Sequence, residues 1–219
     1  MGLFTSRQDR LEGAARALAP FGFVFDAREA GRLARYAPFV ALARPHSYVT
    51  AAFGAIEGHR FEIYEYDSCS QDSEGNTTYP TELAIVVHHP GIRGGAVFMP
   101  DYPQWGGAAA VIDALMWIPP FTLLKLFQFA VGAARPDREV GHADFDRLFV
   151  VRAASDAAAR AAIPPRLREV AARMGRRMTV ELRDGALVCC PDPSLRLDAE
   201  RAPTAVAVAA ALVAAFVEA

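Results

Sequence analysis

The segment RMTVELRDGALVCC, residues 177–190, carries the clearest structural signal in the chain. Its centre, Asp184-Gly185, is a favoured two-residue type I′ turn, because both turn positions need a positive φ. Hydrophobic and polar residues alternate on either side of the turn, which indicates two antiparallel strands with one buried face. Counting outward from the turn fixes the register of the hairpin and predicts one shared core face, formed by Met178, Val180, Leu182, Leu187 and Cys189.

The cysteines indicate a reducing compartment. Cys189 is predicted to point into the core and its neighbour Cys190 away from it, and the third cysteine is Cys69. An odd number of cysteines, two of them adjacent, is not a disulfide framework. No Cys/His spacing predicts a zinc site, and the first residues lack the apolar stretch of a secretory signal. We therefore expect a cytoplasmic protein with no metal and no cofactor.

Composition excludes several function classes. The 219 residues are 53% hydrophobic and 22% charged, with a formal net charge of −2 and a mean hydropathy of +0.14. Such a chain is too apolar to be a disordered tail. It also lacks the excess of basic residues with which nucleic-acid binders displace counterions from phosphates, so no nucleic-acid partner is expected. The chain uses arginine far more often than lysine and is rich in alanine, which is typical of a GC-rich bacterial coding sequence.

Further strands are predicted upstream of the hairpin. SYVTAAFGAI and HRFEIYEYD are rich in β-branched and aromatic residues and are separated by Glu57-Gly58, which indicates a second hairpin. The remaining strand signals are ELAIVVHH, AVFMP and LFVVRAA. Helices are predicted over residues 8–19 and about 27–36, from residue 157, after Pro164-Pro165 as far as Gly175, and from Pro203 to the end of the tail.

These elements predict an α+β fold with antiparallel sheets of about seven strands, intervening helices and a C-terminal helix. Residues 1–45 are interpreted as an N-terminal helical segment, and residues 46–219 as a single α+β domain with a helical insertion at 106–134. Two roughly orthogonal sheets closed by the terminal helix would resemble a pleckstrin-homology-like barrel, from which the insertion departs.

The insertion at 106–134 is the most hydrophobic region of the chain. Pro119-Pro120 divides it into two helical pieces, each shorter than the roughly 20 apolar residues that a membrane span needs. The second piece has one narrow polar stripe on an otherwise apolar surface. It could pack on the sheet, lie on a membrane or line an apolar cavity. The candidate binding residues of this piece are Phe121, Lys125, Phe127 and Phe129.

Two histidine motifs are candidates for chemistry. His142, Asp144 and Asp146 form H-x-D-x-D before a strand, and in an extended chain all three would point the same way. That geometry suits acid–base or metal-assisted catalysis. Histidine and aspartate before a strand are, however, more often ordinary turn residues. His88 and His89 are neighbours in a strand, so they are predicted to face opposite sides of the sheet and not to share a metal.

A group of arginines lies around the predicted helix after Pro165. It could face an acidic partner or phosphates, although a solvated helix face is the simpler interpretation. Its members are Arg166, Arg168, Arg173, Arg176 and Arg177.

Two stretches, residues 58–105 and 143–190, resemble a large bacterial family known only as a domain of unknown function. The resemblance implies the order of strands, helix and hairpin and supplies no activity. Many members of that family carry transmembrane segments near the N-terminus, and this chain departs from them. The matching residues are Gly58, Phe61, Ile63, Tyr64 and Tyr66, then Asp144, Phe145, Asp146, Phe149 and Val151, then Asp184, Gly185 and Leu187.

The sequence as a whole favours a non-enzymatic binding or scaffold module. We expect the partner to be another protein or an apolar or lipid surface that contacts residues 106–134. The protein itself is expected in the cytoplasm, where it could lie at the membrane surface. One alternative is a hydrolase-like or metal-assisted enzyme that uses His142, Asp144 and Asp146. The other is a carrier for a small apolar ligand. Neither the catalytic residues nor the oligomeric state follow from the sequence.

Overall fold

A computed structural model describes residues 7–26, 45–68, 70–71, 77–78, 81–101, 138–176, 178–191 and 198–217. The strands in these ranges are β1 Val24–Asp26, β2 Pro45–Ile56, β3 His59–Ser68, β4 Ser70–Gln71, β5 Thr77–Thr78, β6 Thr81–His88, β7 Ala96–Pro100, β8 Phe149–Ala153, β9 Met178–Arg183 and β10 Ala186–Pro191. The helices are α1 Arg7–Leu18, α2 Ala143–Leu148, α3 Asp156–Ala162, α4 Pro165–Met174 and α5 Arg201–Val217, with a 3-10 turn at Ala19–Phe21.

The strands form an eight-stranded antiparallel sheet in the order β1-β2-β3-β6-β10-β9-β7-β8, and β4 pairs with β5 beside it. This architecture confirms the α+β class. The two sets of strands predicted to form separate sheets join into one, because β6 pairs with β10 through contacts such as Val86 opposite Val188. The pleckstrin-homology-like arrangement stays a prediction.

The hairpin β9–β10 has the predicted register. Leu182 lies opposite Leu187, and Val180 lies opposite Cys189. Gly185 has a φ of 76°, but Asp184 lacks the positive φ that a type I′ turn requires at both positions, so the predicted turn type was wrong although the predicted register is correct. A two-residue turn ending in glycine, together with the alternation, is sufficient to set the register of this hairpin.

The five described helices pack against one side of the sheet, which we call the first face. Phe61, Ile85 and Leu187 lie on this face and are fully buried. The largest helix, α5, contributes Leu212 and Val213 to the same core, which agrees with its apolar sequence. The N-terminal helix α1 packs against α5 and contributes Ala14 and Leu18.

The opposite side, the second face, has a buried cluster of its own. It includes Tyr64, Tyr66, Val86 and Val188, all at least 98% buried. The buried carboxylate of Glu62 lies on this face beside Tyr64. The predicted helix at 27–36 and the insertion at 106–134 lie outside the described residues.

The short helices α2, α3 and α4 begin and end at residues suited to helix caps. Ser155 Oγ accepts the Ala158 amide at the start of α3, and Pro165 occupies the first turn of α4. Gly175 ends α4 with a φ of 74°. These three short helices, together with α5, build the surface that carries the candidate site.

Candidate functional site

The H-x-D-x-D motif is not extended but forms a helix cap, which agrees with the commoner interpretation of these residues as turn residues. His142 is the N-cap of α2, where its Nδ1 accepts the Phe145 amide at 3.2 Å. A helical turn forms because the histidine ring and Asp146 together satisfy amides that an isolated strand would leave exposed. Asp144 and Asp146 are therefore spaced along a helix instead of alternating along a strand.

The Asp146 carboxylate holds the loop before α2 together. It accepts the backbone amides of Val140, Gly141 and His142 at 3.0, 3.0 and 2.9 Å. Asp144 instead is 70% exposed and pairs with Arg147 on the same helix. The three side chains of the motif thus have separate partners, and Asp146 is occupied by loop amides while His142 and Asp144 line one depression. In the part of the chain that the structure describes, no group of three His, Cys, Asp or Glu side chains is placed to hold a metal.

The arginine group divides into structural and surface members. Arg168 donates to the carbonyls of Ile163, Val140 and Arg160 at 2.7, 3.0 and 3.1 Å, which joins α3, α4 and the loop before α2. Burial lowers the pKa of the Arg168 guanidinium, and the Asp146 carboxylate opposes that shift. Arg176 donates to the Arg147 carbonyl at 3.0 Å. The side chain of Arg177 lies outside the described residues.

Arg166 and Arg173 remain on the surface, where they border a groove between α4 and α5. The groove has a volume of about 390 Å³ and an apolar floor. We call it the α4–α5 groove. Among the described residues it is lined by Arg166, Val170, Arg173, Met174, Ala211, Ala214 and Ala215.

A second depression lies on the other side of Arg173, between α2 and α4. It has a volume of about 460 Å³ and a mixed lining in which charges of both signs alternate. Glu169, which pairs with Arg166 at 3.2 Å, faces it with a 49% exposed side chain. We call it the α2–α4 depression, lined by His142, Asp144, Arg147, Leu148, Glu169, Ala172 and Arg173. The two concavities share Arg173 in their linings.

A buried polar network on the second face was missed from the sequence. Glu62 accepts hydrogen bonds from Arg60 and from Tyr64 Oη, the latter at 2.5 Å, and its Oε1 lies 2.9 Å from His88 Nε2. The available signal was a glutamate on the same face as two tyrosines in HRFEIYEYD, at a position opposite ELAIVVHH. The network orients the His88 imidazole at one end of the sheet.

His88 and His89 do face opposite sides of the sheet, as predicted. His88 joins Glu62 on the second face, whereas the ring of His89 packs edge-on against His59 at 5.2 Å on the first. The cysteines also follow their prediction. Cys189 is buried, which raises the pKa of its thiol to about 12, and Cys190 is half-buried on the other face.

Glu181 is a titrating carboxyl on the second face. It lies on β9 opposite Val188, and its side chain is 16% exposed. Burial raises the pKa of Glu181 to about 7, although the Arg183 guanidinium, 3.3 Å away, opposes the shift. Because the carboxyl ordinarily titrates at 4.5, the folded protein retains a proton between pH 4.5 and about 7 that the unfolded chain has released.

We expect the stability of the wild type, relative to a Glu181→Gln variant, to fall by about 1–2 kcal/mol as the pH rises from 4.5 to above 7. The contribution of the retained proton is complete below the unfolded-state pKa and is lost as the pH passes the folded-state pKa. Urea unfolding at closely spaced pH values measures the difference. Glu139→Gln, which removes an exposed carboxylate, is the matched control. A wild-type-to-variant difference that is independent of pH would contradict the prediction.

The predicted binding residues Phe121, Lys125, Phe127 and Phe129 lie outside the described residues. Of the helices that the structure describes, none has both the length and the apolar character to cross a membrane. The resemblance to a domain of unknown function stays a prediction. Comparison of the chain with protein-family models, curated proteins and solved structures finds no match.

Proposed function

We propose that this protein is a binding module that receives a partner protein on the surface formed by α2, α4 and α5. The observation that carries the proposal is the α4–α5 groove, a concave apolar floor bordered by two exposed arginines. Contiguous apolar patches on soluble proteins are commonly functional. An apolar centre with a charged rim is also the usual anatomy of a protein interface, in which arginine is enriched.

The elements beneath the groove are rigidly placed, which suits a recognition surface. Arg168 fixes the start of α4 through three main-chain carbonyls, and Leu167 and Ala171 bury the inner face of α4. Val170 and Met174 are left half-buried on the outer side. The floor is therefore preformed, and a partner would not have to order it on binding.

A protein partner is favoured over a lipid surface by the charges around the groove. Asp144 and Glu169 carry exposed carboxylates on the adjoining depression, and these would be repelled by anionic headgroups. Surfaces that bind membranes are instead rich in basic residues on their polar side. The expected contact through residues 106–134 stays a separate prediction, as does the carrier alternative.

We propose that the protein acts in the reducing cytoplasm of a bacterium. Cys189 is a buried free thiol, a state that persists in reducing compartments. The arginine-rich and alanine-rich composition supports the bacterial source.

Site-specific photo-crosslinking in the native cell tests the proposed function. A photoreactive residue at Ala211, in the groove, is expected to give a discrete covalent adduct with a partner protein. The same residue at Ala157, an exposed alanine of α3 outside the groove, is the matched control and is expected to give none.

A second substitution makes the crosslink specific to the groove. Ala214→Glu places a bulky charge on the groove floor, and is expected to reduce the Ala211 adduct by about tenfold or more. Ala207→Glu, on the exposed side of the same helix, is expected to leave it unchanged. The same adduct from Ala157, or an Ala211 adduct that survives Ala214→Glu, would overturn the proposed function.

A further inference from the structure

We infer that helix α2 is an acid-sensitive element of the fold, in which protonation of His142 releases the first turn of the helix and with it one wall of the α2–α4 depression. The switch lies within the chain, so it does not depend on the partner that we propose. Its basis is the hydrogen bond in which the His142 ring accepts a backbone amide.

The cap of α2 requires a neutral imidazole. The Phe145 amide can only donate, so His142 Nδ1, 3.2 Å away, presents its lone pair and the proton of the neutral ring lies on Nε2. An imidazolium carries a proton on both nitrogens, so no rotation of the protonated ring restores an acceptor. Histidine ordinarily gains this proton between about pH 8 and 5. Acidification within that range therefore turns the cap into a donor that faces another donor.

The first turn of α2 depends on this cap. The helix has six residues, which is too short for a helix to persist by itself. The buried Phe145 ring anchors it, and the Asp146 carboxylate holds the loop before it. Neither contact replaces the acceptor of the Phe145 amide, because both oxygens of Asp146 already bind amides of the loop. Release of the His142 ring therefore lets the first turn open while α2 stays attached through Phe145.

The turn that opens belongs to one wall of the α2–α4 depression. His142 and Asp144, at the start of α2, both line it, and α4 supplies the other wall. Helix α4 has ends of its own, with Pro165 in its first turn and Gly175 after its last residue, and it buries Leu167 and Ala171. Acidification is therefore expected to change the α2 wall and to retain the α4 wall.

The exposed carboxylates beside His142 already have arginine partners. Asp144 pairs with Arg147 and Glu169 pairs with Arg166, so the lost acceptor, and not a change in pairing, sets the direction of the switch. Strand β8, which also packs against α2, turns apolar buried side chains toward it. The titratable and charged groups that face or adjoin the ring are Asp144, Asp146 and Arg147 on α2, Arg168, Glu169, Arg173 and Arg176 on α4 or just after it, Arg160 on α3, and Arg138 and Glu139 in the preceding loop.

Amide hydrogen exchange, measured by NMR at about pH 7.5 and about pH 5.0, tests the switch. The protection factor of the Phe145 amide, corrected for intrinsic exchange at each pH, is expected to fall about fivefold on acidification, the factor that loss of a typical N-cap corresponds to. The Ala158 amide, which the non-titrating Ser155 Oγ holds at the same position of α3, is the internal control and is expected to keep its protection. No fall at Phe145, or an equal fall at Ala158, would overturn the inference.

Two variants connect the change to the His142 ring. His142→Asn places a non-titrating acceptor at the cap and is expected to keep the Phe145 amide protected at both pH values, whereas His142→Ala removes the acceptor and is expected to leave it weakly protected at both. Circular dichroism checks that each variant is folded.

The ring nitrogens give a direct readout of the same switch. Their ¹⁵N shifts in the wild type are expected to show an unprotonated Nδ1 on His142 at about pH 7.5 and a protonated one at about pH 5.0. A protonated Nδ1 at the higher pH, or a fall in Phe145 protection that persists in His142→Asn, would overturn the inference. No partner is present in these measurements, so either result leaves the proposed function as it stands.

Discussion

Replacement of Arg10 by alanine is expected to reduce the free energy of unfolding by about 3–5 kcal/mol. Arg10 on α1 donates from both terminal nitrogens to the two carboxylate oxygens of Glu65, each at 2.5 Å. The Glu65 side chain is fully buried on β3, and that of Arg10 is 15% exposed. Truncation of the arginine removes a bidentate, charge-assisted contact from a buried carboxylate, and such contacts compensate for lost hydration.

Matched variants separate the charge from the geometry of this pair. Arg10→Lys retains the charge and loses the bidentate contact, so an intermediate loss of about 1–2 kcal/mol is expected. Arg10→Met/Glu65→Leu removes both charges and is expected to recover most of the stability of the wild type. Urea unfolding measures all three variants. A loss below about 1 kcal/mol in Arg10→Ala would show that the carboxylate is solvated in solution, contrary to the structure.

Replacement of Phe145 by alanine is expected to cost a similar amount, about 3–5 kcal/mol. Phe145 is the buried residue of the six-residue helix α2. Its ring centroid lies 5.1 Å from that of Phe98 and 4.9 Å from that of Phe149. The substitution removes a large apolar side chain and leaves a cavity beneath a helix too short to persist without tertiary contacts.

The local consequence distinguishes this prediction from a general loss of packing. Loss of the Phe145 contact is expected to raise amide hydrogen exchange at α2 and at Val140, whose amide Asp146 holds. Phe145→Leu keeps most of the apolar volume and is expected to cost no more than about 1.5 kcal/mol. Unchanged exchange at α2 in Phe145→Ala would contradict the proposed anchoring of this helix.

Local chemistry made the hairpin and the helix ends predictable. The Asp184-Gly185 turn selects a register by itself, and alternation then assigns each side chain of β9 and β10 to a face. Ser155 and Gly175 likewise mark helix ends through contacts within a few residues. Such signals act over short stretches of sequence, and a single chain is sufficient to read them.

The order of strands in the sheet was not predictable in the same way. Pairing of β6 with β10 joins Val86 to Val188, and no turn between them specifies that contact. The helix cap at the H-x-D-x-D motif was likewise left open, because it depends on a histidine ring and on a carboxylate that binds three amides. Both outcomes depend on groups that tertiary structure brings together.

The candidate site was predictable only in its composition. The arginine group was recognisable in the sequence, but the distinction between Arg168 and Arg173 depends on where the carbonyls at the end of α3 lie. The groove floor combines α4 with Ala211 and Ala214 from a helix that follows another hairpin. No spacing within one segment could have indicated that these alanines face Val170.

The central position of β10 has a consequence for synthesis of the chain on the ribosome. β10 is the last of the described strands in sequence, yet it lies between β6 and β9 in the sheet. The hairpin of β2 and β3 and the strand β6 are translated well before it, so the edge of β6 waits without its neighbour until Pro191 has left the exit tunnel. Such late, long-range pairing slows folding and exposes a strand edge to other nascent chains. Codon usage and chaperone access between β6 and β10 therefore bear on the yield of folded protein.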